Sequence, residues 1–127
     1  MKTLKLLFSL MFVFTFLNIQ AQNEIVKMPE QKAVFEGGEV AMQKYIVENL
    51  KYPKYAKENS LEGTVFIKFL VSKDGKIGKV TVLKGVHKTM DSEATRVIQN
   101  MPIWSPAVDK GKKVDSEIVL PVKFQLD

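Results

Sequence analysis

Residues 64–83, TVFIKFLVSKDGKIGKVTVL, decide how the rest of the chain is read. Val65, Ile67, Phe69 and Val71 recur at every second position, the period of a strand with one buried face. Thr64 and Lys68 make the other face polar, and Phe66 and Leu70 leave that face partly covered as well. Lys73-Asp74-Gly75-Lys76 comes next, and Asp-Gly readily supplies the positive φ values of a hairpin turn. The return segment, residues 77–83, points Val80 and Val82 inward. Strands joined by so short a turn pair antiparallel. The seed of the fold is a hairpin.

Downstream, Asp91 reads as the N-cap of a helix with Glu93 in its first turn. Met90, Ala94, Val97, Ile98 and Met101 give that helix an apolar stripe, and Pro102 ends it. Residues 103–107 form an apolar connector. Trp104, held between Pro102 and Pro106, reads as a core plug. Residues 109–112 read as a turn. The final strand alternates clearly, with Ile118, Leu120, Val122, Phe124 and Leu126 on one face. Upstream, Gly37-Gly38 breaks the chain and Glu39 opens a helix whose core stripe is Met42, Ile46 and Leu50. That helix stops near Lys51, because Pro53 disfavours helical geometry at Tyr52. Pro53 then suits the first turn of a short second helix, residues 54–59. The order α-α-β-β-α-β predicts an α+β domain, with helices on one face of a small antiparallel sheet of about three strands.

The first 21 residues stand apart. Lys2 and Lys5 precede an uncharged apolar run of 12 residues (6–17), and Ala21 offers a small residue for cleavage before Gln22. This is the plan of a secretory signal peptide. Twelve helical residues span only ~18 Å against a hydrocarbon core of ~30 Å, which speaks against an anchor and for no transmembrane helix in the mature chain. The predicted organisation is a signal peptide at 1–21, an extended lead-in at 22–36 and one domain at 37–127.

Composition narrows the chemistry. The chain has no cysteine and one histidine, His87, so disulfides and thiolate metal sites are impossible. His87 lies in a polar stretch and reads as a solvated loop residue. Glu58 with Glu62, or Asp91 with Glu93, are better explained by capping and surface charge than as a hydrolytic pair. No catalytic residue, cofactor or metal is predicted, and the chain is not read as an enzyme. The net charge of +5 falls by two once Lys2 and Lys5 are removed. With lysines interleaved among acids and no basic helix stripe, nucleic acid is not expected as a partner.

The ordered set Gly37-Gly38-Glu39, Asn49-Leu50-Lys51-Tyr52-Pro53, Glu62-Gly63-Thr64-Val65, Asp74-Gly75-Lys76, Asp91-Ser92-Glu93-Ala94, residues 101–107 and Pro121-Val122-Lys123-Phe124 resembles the C-terminal domain of TonB, the periplasmic energy transducer. Nearly all of residues 34–126 is covered. The resemblance implies a periplasmic protein that binds the TonB box of outer-membrane receptors by adding the peptide as a strand beside the last strand, in support of energy-dependent transport across the membrane. Main-chain pairing of this kind needs an exposed edge rather than reactive side chains. In the family the Tyr-Pro motif contributes to the receptor-facing surface, and Tyr52-Pro53 match it, with Asn49 just before. Tyr52 reads equally as a contact for the partner or as packing between the first two helices. A full TonB also has a membrane-spanning helix and a long Pro-rich linker, for which this sequence has no counterpart. Use of the sheet edge for self-association, as a homodimer, or for other envelope partners is the alternative.

Pro121 orients that edge. A proline within a strand is tolerated where its missing N–H would face away from the ladder. Leu120, Val122 and Phe124 are thus predicted to bond inward. Val119, Lys123 and Gln125 direct their backbone groups to the open side, where a partner strand adds.

Overall fold

The predicted hairpin is present. In the computed structural model, which describes residues 24–127, β1 (Gly63–Val71) and β2 (Ile77–Lys84) pair antiparallel across a loop at Gly75. The predicted signal peptide lies outside the described residues. Ser72 organises the turn: its N–H donates to Lys76 O and its Oγ accepts from the N–H groups of Asp74 and Lys76. Gly75 has φ +81° and takes the Trp104 N–H on its own carbonyl at 2.8 Å. A Cβ at this position would run into the Trp104 carbonyl oxygen, so glycine is required twice over.

Around the hairpin stand α1 (Gly38–Asn49), α2 (Lys54–Glu58), α3 (Lys88–Gln99), β3 (Ala107–Asp109), β4 (Lys112–Val114) and β5 (Ser116–Phe124). The three-stranded sheet has the order β2–β1–β5, with β5 antiparallel to β1 in continuous register from Gly63↔Phe124 to Val71↔Ser116. Val65, Ile67, Phe69 and Val71 meet Leu120, Val122 and Phe124 on the face that the helices cover, through Met42 and Ile46 of α1 and Met90, Ala94, Val97 and Ile98 of α3. The α+β architecture is the expected one.

Three local readings are corrected. Helix α3 begins at Lys88 and its N-cap is His87, which accepts from the Thr89 N–H; Asp91 sits within the first turn. The Asp91 carboxylate still serves the helix start, reaching back to the Val86 N–H at 2.9 Å. The imidazole of His87 is no loose side chain, since it stacks on Tyr55 at 4.8 Å between centroids. Residues 107–109 and 112–114 were not expected to be strands, yet they pair as a two-stranded ribbon around the predicted turn, where Lys110 and Gly111 take positive φ. Val82, opposite Ile67 on the helix side, stays 36% exposed because β2 is a sheet edge.

The lead-in is extended and also pinned. Single bridges join Ile25 to Asp115, Gln31 to Val108 and Val34 to Ser105. Ala33 and Phe35 are buried, and the Phe35 ring meets Tyr45 and Trp104 at centroid distances of 5.7 and 5.8 Å. Residues 24–36 therefore act as a strap that completes the core beside α1.

Candidate functional site: the free edge of β5

In a sheet ordered β2–β1–β5, one side of β5 has no neighbour in the sheet among the described residues. The direction of its backbone groups follows from residue parity. Pro121 faces Phe66 and has no N–H to give, so this pair is a non-hydrogen-bonded one, and the flanking pairs Leu120↔Ile67 and Val122↔Val65 carry the inner ladder. Two contacts support that parity at the ends. Leu126 donates its N–H inward to the Glu62 carboxylate, and Asp115 accepts from the Val26 N–H of the strap on the outer side. Odd-numbered residues, Val119, Lys123 and Gln125 among them, thus turn their backbone groups outward. The same residues have exposed side chains on the uncovered sheet face, with Val119 at 52%.

The strap bounds this edge at one end. After Val26 it peels away from β5, leaving a groove of about 450 Å³ between Lys27, Met28 and Pro29 on one side and the segment from Ser116 to Val119 on the other. A second groove of about 330 Å³ continues over the core side of β5, floored by Met42, Trp104, Ile118 and Leu120. Beyond Asp115 the strap makes no backbone bond to this edge, although its residues 32–35 still line the groove as far as Leu120. Asp115 is the last position at which the strap bonds to it.

Tyr52 and Pro53 lie toward the opposite end. The Tyr52 ring packs edge-on against Phe124, with centroids 5.6 Å apart, and its hydroxyl donates to Leu61 O. Burial, and then the nearby Glu62 carboxylate, raise the Tyr52 pKa above 10.0, so the phenol stays a donor. Tyr52 thus packs, and it does so against Phe124 of β5 and the Leu61 carbonyl rather than between the first two helices. Asn49 ends α1 in an exposed position, its Nδ2 donating to Tyr45 O at 2.7 Å. Asn49 and Pro53 are not on the β5 edge. Pro53 borders an open groove with Lys51, Tyr52, Ser92, Glu93 and Arg96.

That groove contains a clamp that the sequence reading did not anticipate. Arg96 holds the Glu93 carboxylate through Nε at 2.7 Å and Nη2 at 2.9 Å, and its Nη2 also donates to Asn49 O at 2.9 Å. Glu93 in turn accepts from the Lys51 N–H at 2.6 Å. The link between α1 and the Tyr-Pro pair is thereby fixed to α3. Hydrogen bonding from Arg96 lowers the Glu93 pKa below 4.5, against a smaller opposing effect of burial and with help from the Lys51 N–H. An i, i+3 Glu-Arg pair was visible in the sequence; its reach across 42 residues to Lys51 was not.

Among the described residues no group of three His, Asp or Glu side chains is placed to hold a metal ion, and no helix is long and apolar enough to cross a membrane. The edge strand, with its outward backbone and with Tyr52 packed against Phe124 at its far end, offers main-chain pairing. The family model of the Gram-negative bacterial TonB protein C-terminal domain matches residues 48–126. The chain belongs to the TonB C-terminal domain family. The C-terminal domain of Helicobacter pylori TonB, residues 194–285, solved in solution, is similar in fold with a TM-score of 0.51 and 21% identity over 68% of this chain and 90% of that one. The Pseudomonas aeruginosa TonB C-terminal domain matches with 28% identity and a TM-score of 0.44, over 61% of this chain and 80% of that one. A comparison with curated proteins found no match. Residues 24–47, the strap and nearly all of α1, precede the region matched by the family model.

Proposed function

We propose that this TonB C-terminal domain binds the TonB box of an outer-membrane receptor by strand addition to the free edge of β5, in the periplasm, after a signal peptide at residues 1–21 has been removed. The carrying observation is the edge itself: backbone groups of Val119, Lys123 and Gln125 point outward with no strand beside them among the described residues. A peptide that pairs there gains several main-chain hydrogen bonds, each worth about 0.5–1.5 kcal/mol net. Exposed Lys123 and the missing donor at Pro121 also guard the edge against indiscriminate pairing. The contribution to transport is that of a receptor-binding module, and the site has no catalytic step.

The test is Lys123→Pro. The substitution removes one outward donor and leaves the inner ladder at Leu120, Val122 and Phe124 in place. Affinity for a TonB-box peptide is expected to fall at least about fivefold, the loss of one hydrogen bond of about 1 kcal/mol, with circular dichroism unchanged. A folded variant with unaltered affinity would place the partner elsewhere.

A further inference from the structure

The helices cover one face of the sheet. The opposite face is open and has a defined chemistry. Directly paired residues share a face, so Phe66 stands between Pro121 and Lys84, Lys68 between Val119 and Thr81, and Thr64 beside Lys123. Along its centre run Phe66, 37% exposed, and half-buried Leu70. Lys79 and Lys84 flank that strip on the β2 side and Lys123 on the β5 side, all three exposed and none in an ion pair among the described residues. Lys68 is half-buried and reaches Glu117 at 3.9 Å, the one acid that this pattern places on the face. Four lysines thus meet a single glutamate. At the Leu70 end the strap residue Ile25 closes a small cavity of about 110 Å³ with Lys68, Lys79, Thr81 and Glu117.

We propose that this face docks an acidic amphipathic helix of a partner protein. Three strands spaced about 4.8 Å apart present a surface about as wide as one helix, roughly 10–12 Å with its side chains. A helix laid along β1 would set its apolar stripe on Phe66, Leu70 and Val119. Carboxylates on its two flanks would reach Lys79 and Lys84 on one side and Lys123 on the other. Charge selects this occupant. A second copy of the chain presents the same lysines and is repelled, and the chain's own N-terminal segment before Glu24 has two lysines and no acid. Phe66 and Val119 are the exposed large apolar side chains along its paired positions, a small apolar surface that favours a protein partner over insertion into lipid.

The proposal is independent of strand addition at β5, and the test keeps the two apart. The probe is a synthetic amphipathic helical peptide with leucines on one face and glutamates on both flanks; matched peptides replace every Glu by Gln or by Lys. Chemical shifts of the isotope-labelled processed protein are expected to move at Phe66, Lys68, Leu70 and Lys84 with the Glu peptide. Binding should weaken at least tenfold with the Gln peptide, with the double variant Lys79→Glu/Lys84→Glu, and on raising salt from 0.05 to 0.5 M. The milder pair Lys79→Gln/Lys84→Gln guards against misfolding of the first and should weaken binding as well. Both variants should keep their affinity for a TonB-box peptide. Equal binding of the Glu and Gln peptides, shifts confined to the β5 edge, or binding only to phosphatidylglycerol vesicles would overturn the proposal.

Discussion

At the scale of single residues, Gly75 and Glu93 show how far local identity reaches. Gly75 combines a left-handed φ with contact against the Trp104 carbonyl, so a side chain there meets strain and a clash together. Gly75→Val is expected to destabilise the domain by about 2 kcal/mol or more, read as a lower midpoint in urea unfolding; an unchanged midpoint would remove the turn from the account. Glu93 makes a pH prediction. Its folded pKa lies below the ordinary value, so its contribution is present above about pH 4.5 and is lost as pH falls through the lowered folded pKa. Stability should therefore decline on acidification in that window. Glu93→Gln should flatten the decline, measured by thermal melts between pH 6 and pH 2.5. A variant with the wild-type pH slope would show that other carboxylates carry it.

At the scale of elements, legibility followed the range of the forces involved. β1 and β5 were readable because alternation along a strand is a local signal that burial enforces, as Val65, Ile67, Leu120 and Val122 show. The turn at Gly75 was readable from its own chemistry. The β3–β4 ribbon was not, because its three-residue strands have no alternation long enough to register. His87 as a cap was missed because Asp91 has the stronger intrinsic preference, and its carboxylate reaches the helix start from within the first turn. The strap was missed for a different reason. Ala33 and Phe35 lack any period, and their burial depends on Trp104, Tyr45 and the single bridges to residues 105 and 108. Phe35→Ala is expected to cost about 3 kcal/mol, near the effect of emptying a core phenylalanine site. A change below about 0.5 kcal/mol in chemical denaturation would show that the strap is only laid against the domain. Of the candidate site, the parity of β5 was legible through Pro121 alone, whereas the Glu93–Arg96 clamp required knowing that α3 lies beside residues 49–51.

At the scale of the whole molecule, the strap and α1 add a second supporting layer ahead of the region that defines the family. They complete the core, bond to the β5 edge at Asp115, and leave the backbone groups from Val119 to Gln125 without a strap bond. The molecule thus offers a limited edge with a fixed register, which suits recognition of one short extended segment. Amide hydrogen exchange tests that claim most directly. In the free protein the amides of Leu120, Val122 and Phe124 should exchange slowly and those of Val119, Lys123 and Gln125 fast. On adding a TonB-box peptide, protection should rise selectively at Val119, Lys123 and Gln125. Slow exchange at these three amides without peptide, or new protection confined to β2, would contradict it.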